Sequence, residues 1–149
     1  MFTLVPSVFF NPAAERETLA EVADVKKGEI VSHVEIPQYD AVLIFKQGED
    51  SSVCAMEDIL RNLPSCTEYN KIIGCILDGY LYLAIAQGKS LLLANCFKAQ
   101  DFTTAEYYIF LAMKSLQLNP EVSTICWKGS LEPEEEMSLY RYFKAVEQI

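Results

Sequence analysis

The chain has 149 residues, 51% hydrophobic and 22% charged, and 21 acidic against 12 basic side chains leave a formal net charge of −9. A chain of this size buries roughly two-thirds of the surface its unfolded form exposes, enough for a core without disulfides or a structural metal, which excludes a small disulfide scaffold and a long disordered tail. Acids outnumber bases twelve to five over residues 1–70 and nine to seven over 71–149, so neither part offers the basic face that nucleic acid requires.

Phe2 to Phe10 is rich in Val, Phe, Leu and Thr and predicts a buried strand with a proline near its middle. Asn11-Pro12 places a side-chain acceptor and then a proline at a helix start, and the Ala- and Glu-rich run to Asp24 predicts a short amphipathic helix with Leu19, Val22 and Ala23 on one face. Lys26-Lys27-Gly28 breaks it. Ile30, Ser32, Val34 and Ile36 alternate with Val31, His33 and Glu35, and after the turn Pro37-Gln38-Tyr39-Asp40 the apolar run Ala41–Phe45 suits a strand covered on both faces. Gly48-Glu49-Asp50-Ser51-Ser52 reads as a polar connection. Val53, Met56, Ile59, Leu60 and Leu63 then follow helical spacing up to Pro64.

Three strand-like segments come next, Lys71–Leu77, Tyr80–Ala86 and Ser90–Phe97, separated by Asp78-Gly79 and Gln87-Gly88-Lys89. Both connections carry the glycine that hairpin turns need, so this is an antiparallel meander. Thr103 and Glu106 have capping-box spacing before a helix burying Ala105, Tyr108, Ile109, Ala112 and Leu116, which ends at Asn119-Pro120. Val122–Trp127 predicts a short strand closed by Gly129. Glu132, Glu134, Glu135 and Glu136 open a final helix, where acids suit the positive end of the helix dipole, and Leu139, Tyr142, Phe143 and Val146 form its buried stripe.

Candidate chemistry is sparse. The longest apolar runs, such as Leu91–Ala94, fall far short of the roughly 20 residues of a membrane helix. Met1–Pro6 lacks the basic and small-residue marks of a secretory signal, so a bacterial or cytoplasmic setting is expected. The five cysteines Cys54, Cys66, Cys75, Cys96 and Cys126 include no C-x-x-C pair and have only His33 to help them; reduced, mostly buried thiols are expected, with no zinc site. Gly88-Lys89-Ser90 resembles the end of a P-loop, but Leu83 stands where its first glycine belongs and a strand follows instead of a helix. His33 has no sequence-local nucleophile to activate. Asp78, in a tight turn after an apolar strand, could orient water around a metal–nucleotide or simply form a good turn with Gly79. The aromatic residues Tyr80, Tyr82, Tyr107, Tyr108, Tyr140, Tyr142, Trp127 and Phe143 fit packing positions, with a protein-contact patch open to those left exposed.

The segments Leu91-Leu92-Leu93-Ala94-Asn95-Cys96-Phe97, Thr104-Ala105-Glu106-Tyr107-Tyr108, Gly129 before a tyrosine-bearing final helix, and Phe2-Thr3-Leu4-Val5-Pro6-Ser7 with Phe9-Phe10 resemble a family of uncharacterised Bacteroidetes proteins with an actin-like ATPase fold. The resemblance implies an α/β, ribonuclease H-like architecture. It makes residues 70–149 a second actin-like lobe and 1–69 the remainder of a first lobe whose own three-strand meander has no counterpart here. The chain then resembles the C-terminal part of a longer gene product or a shortened relative.

The same resemblance implies where a nucleotide would sit. Actin-like ATPases hold phosphates between two glycine-rich hairpins, one per lobe, with carboxylates around the metal. Of these, only the second has a counterpart, Asp78-Gly79 followed by Tyr80-Leu81, and no Gly-Gly pair occurs. The bulky tyrosine argues against tight phosphate binding. The expectation is a cytoplasmic, non-catalytic domain with a degenerate nucleotide site. It would act through protein contacts, of the kind made by actin-like subunits of pilus and secretion assemblies, and form a homodimer or exchange a strand at the open first-lobe edge. The competing expectation is an ATPase that binds ATP and magnesium, its site completed by a further segment or a second chain. A third is a small enzyme working through His33.

Overall fold

The computed structural model describes residues 2–48 and 50–149, and of 50–54 the backbone alone, so the expected roles of Val53 and Cys54 lie outside the described residues. β1 (Phe2–Pro6), β2 (Val31–Ile36) and β3 (Ala41–Lys46) form an antiparallel sheet in the order β1-β3-β2. β3, the expected doubly covered strand, is central: Leu43 and Ile44 are fully buried, on opposite faces. β1 is shorter than its composition suggests. The strand ends at Pro6, the Ser7 amide donates to the Asp40 carbonyl at 2.7 Å, and a 3-10 turn leaves Val8 84% and Phe9 81% exposed.

Asn11 Oδ1 accepts from the Ala13 amide at 3.1 Å and starts a 3-10 turn over Pro12–Ala14 that leads into α1 (Glu15–Ala20). This helix stops short of Asp24, burying Leu19 while Val22 is exposed. α2 (Asp50–Asn62) begins inside the segment expected as a polar connection and gives way, at the proline expected to stop it, to a 3-10 turn over Leu63–Ser65.

The second sheet joins β4 (Asn70–Leu77), β5 (Tyr80–Gln87), β6 (Ser90–Lys98), β7 (Thr124–Trp127) and β8 (Ala145–Gln148) in the order β6-β5-β4-β7-β8. The meander β4-β5-β6 is antiparallel as expected, and β7 runs parallel to β4. α3 (Phe102–Ser115) and α4 (Pro133–Tyr140) supply the crossovers. α3 is capped by Asp101, whose Oδ1 accepts from the Thr104 amide at 2.7 Å, and not by Thr103. It also ends before Asn119, which instead starts a 3-10 turn over Pro120–Val122. β8 corrects the sequence reading: the expected final helix ends at Tyr140, and Val146 lies on a strand parallel to β7, in register with Ile125.

Alternation along the interior strand β5 organises the layers. Leu81, Leu83 and Ile85 face Ala105, Ile109 and Met113 of α3, with Leu139 and Phe143 from the α4 region. Tyr82, Ala84 and Ala86 face α2. The small alanines let α2 approach closely, and its Met56, Ile59 and Leu60, with Leu63 just beyond its end, are completely buried between the large sheet and the inner face of the small one. Each such side chain contributes roughly 1.5–3 kcal/mol of transfer free energy, so α2 is the layer that holds the two sheets together. α1 covers the outer face of the small sheet against Val42 and Ile44. Among the described residues no helix is long and apolar enough to cross a membrane.

Candidate functional site

The expected phosphate hairpin is a tight turn between β4 and β5. Asp78 at φ 50° and Gly79 at φ 79° are both left-handed, as a two-residue hairpin loop between the paired residues Leu77 and Tyr80 requires. The Ala99 amide donates to the Gly79 carbonyl at 2.8 Å, which ties the turn to the end of β6. Asp78 is exposed, and a Cβ on Gly79 would meet nothing within 4 Å, so backbone conformation and not close packing selects glycine there. Tyr80 is 41% exposed.

The other residues singled out from sequence lie apart from this turn. His33 stands on β2 with Nδ1 2.7 Å from Glu15 Oε2 and its ring 4.7 Å from that of Phe10. Its partner is a carboxylate on α1, not a nucleophile. Gly88 occupies the β5–β6 turn at φ 55°, its amide donating to the Tyr69 carbonyl at 2.9 Å. β6 follows, so Gly88-Lys89-Ser90 is a hairpin turn as expected. Of the aromatic set, Tyr80, Tyr107, Tyr140 and Tyr142 are exposed, whereas Tyr82, Trp127 and Phe143 are buried.

Neither Asp78 nor Gly79 lines any of three clefts formed by the described residues. One of about 510 Å³ runs between the small sheet and β6, with Leu4, Val5 and Pro6 on one wall and Ser90–Ala94 on the other. Tyr39 and Lys89 border both it and a neighbouring cleft of about 310 Å³, whose wall includes Pro64 and Lys71. A third, of about 500 Å³, lies between α3 and α4. There Ser138 Oγ donates to both carboxylate oxygens of the buried Glu106, at 2.8 and 2.9 Å. Burial pushes the Glu106 carboxyl above its ordinary range, partly offset by that hydroxyl and by Arg141.

A close approach of two thiols was not legible in the sequence. Cys66, just after the turn that follows α2, has its Sγ 3.4 Å from Sγ of Cys126 on β7. Lys71 Nζ donates to the Cys66 carbonyl and, at 3.0 Å, to that of Glu68. The hydrogen bond with Cys126 holds the Cys66 thiol below its ordinary pKa, helped by the Lys71 charge against the opposing effects of burial and of the Glu147 charge. The same bond pushes Cys126 up, as do burial and Glu147, whose Oε2 is 3.9 Å away. Tyr39 adds a hydroxyl buried without a hydrogen-bond partner among the described residues; burial first, then the charge of Cys66, pushes it up to about 12. Burial of the cysteines is also less than expected: Cys66, Cys75 and Cys96 are partly exposed and, of the four described, only Cys126 is buried. Cys66 and Cys126 are 60 residues apart, too far for spacing to reveal the pair.

With this geometry in hand, comparison with known proteins assigns the fold. A crystal structure of a Bacteroides thetaiotaomicron protein, described as having an actin-like ATPase fold and unknown function, superposes with a TM-score of 0.80 at 17% sequence identity. The match covers 99% of this chain and 64% of that one, so the chain spans under two-thirds of the solved protein's length. At that identity the likeness shows the fold: mixed α/β, of the actin-like ATPase type. No curated protein matches the sequence. The sequence pattern of a family described as protein of unknown function (DUF3822) matches residues 52–146, more than half of the chain. The chain therefore belongs to the DUF3822 family.

Proposed function

We propose that this chain is a cytoplasmic protein-interaction domain, with residues 1–69 as the remainder of one actin-like lobe, 70–149 as a second, and Asp78-Gly79 as a degenerate phosphate hairpin. The observation that carries the reading is where the open strand edges fall. β1 and β6 are each terminal in their sheets, and they form the two walls of the 510 Å³ cleft, where apolar side chains such as Leu4, Val5, Leu91 and Leu93 stand with the polar Asp40, Lys89 and Ser90. Unpaired edges with apolar surroundings are what proteins ordinarily cover or use for contact. Val8 and Phe9, directly after β1, extend the exposed apolar surface. The partner proposed is a second copy, meeting this one along β1 by strand pairing or exchange.

Light scattering at high protein concentration tests this. A dimer that reverts to monomer in the Val8→Asp/Phe9→Asp variant is the expected result. A monodisperse wild-type monomer overturns the homodimer.

The second reading, a nucleotide-binding actin-like ATPase completed by further chain or by a partner, is favoured by the fold together with the 64% coverage of the solved neighbour. It requires saturable binding of ATP with magnesium.

A further inference from the structure

We propose that Cys66 and Cys126 form a redox-active dithiol, in which a peroxide oxidises Cys66 and Cys126 closes the pair to a disulfide. The two sulfurs are already in contact at 3.4 Å, and a disulfide requires them to close to about 2 Å. Their surroundings differ as attacking and resolving thiols should. Cys66 is partly exposed, between the exposed Ser65 and Thr67, whereas Cys126 is 4% exposed on a strand inside the sheet. The Lys71 ammonium, anchored to the Cys66 carbonyl, supplies positive charge that acts on the attacking sulfur against the opposing Glu147 carboxylate, and charge of that sign favours the thiolate, the reactive form. Cys126 shares a hydrogen bond with the same sulfur.

The chemistry balances with the peroxide as the named oxidant. The Cys66 thiolate attacks one peroxide oxygen; an S–O bond forms, the O–O bond breaks, and the departing hydroxide leaves as water with the proton the thiol released. Cys126 sulfur then attacks Cys66 sulfur. The S–S bond forms, the S–O bond breaks, and the hydroxyl leaves as a second water with the Cys126 proton. Two thiols lose two electrons and two hydrogens, and the peroxide is reduced to two waters. The product would link the end of α2 to β7, fastening the middle layer of the fold to the large sheet.

The sequence makes the test unambiguous, because trypsin places each of the five cysteines in its own peptide, Cys66 within 62–71 and Cys126 within 115–128. The full chain is treated with hydrogen peroxide, blocked with iodoacetamide and digested without reductant. The expected result is a cross-linked pair of those two peptides, lighter by two hydrogens than their sum and released by dithiothreitol. In Cys126→Ala, Cys66 should instead be trapped as sulfenic acid by dimedone. Thiols 66 and 126 both remaining alkylatable after peroxide, or cross-links to Cys54, Cys75 or Cys96 in place of this one, would overturn the proposal. The wild-type digest decides the matter even if the variant does not fold. Its outcome is independent of whether the chain dimerises or binds nucleotide.

Discussion

Gly74 on β4 lies against the indole of Trp127 on β7: a Cβ on Gly74 would stand 2.9 Å from Cζ3 and 3.1 Å from Cε3. The two residues are partners in the parallel ladder. Trp127 is 3% exposed and has Phe102 edge-on at 5.6 Å, so its ring has little room to retreat. Gly74→Ala should destabilise the chain by about 1–3 kcal/mol through overpacking, despite the better strand propensity of alanine. Urea unfolding measures it, and an unchanged midpoint would show that the indole moves freely.

At the start of α3, Asp101 and not Thr103 holds the first free amides. Asp101→Ala should lower the urea midpoint, whereas Thr103→Ala should barely move it. The hydrogen bond from the Thr104 amide also lowers the Asp101 pKa. The cap's contribution is therefore full above the ordinary carboxylate value and fades as pH falls through the lowered folded value. Equal losses in the two variants would contradict the assignment.

Glu106 has the opposite sign. Burial raises its folded pKa above the ordinary 4.5, so the carboxylate binds its proton more tightly folded than unfolded. Stability should be greatest below that ordinary value and fall as pH rises through the raised one. Glu106→Gln, which keeps an acceptor for Ser138, should gain relative to wild type as pH rises above that ordinary value. Stability curves that stay parallel across this range would show that Glu106 ionises without cost.

These features differ in how far sequence alone disclosed them. The meander was legible because Asp78-Gly79 and Gln87-Gly88-Lys89 mark both turns, and glycines with positive φ stand at both. α2 was legible from Met56, Ile59, Leu60 and Leu63, all fully buried. β8 was hidden because Leu139, Tyr142, Phe143 and Val146 keep helical spacing straight through a break that no Gly or Pro announces. The break comes from afar: the Lys144 amide donates to the carbonyls of Pro120 and Ser123, at 3.2 and 3.0 Å, and turns the chain onto β7. The overrun of β1 has a similar origin, since Val8 and Phe9 have strand-type side chains but no strand beside them. Asp78-Gly79 was readable as a turn from composition, whereas the Cys66–Cys126 contact exists only through tertiary packing.

Calorimetric titration of ATP with magnesium into the wild-type chain and Asp78→Ala tests most directly the proposal that this domain works through contacts and not through a nucleotide. No saturable heat is expected from either protein. Micromolar binding to the wild type that Asp78→Ala abolishes would contradict it and establish the hairpin as a working phosphate site.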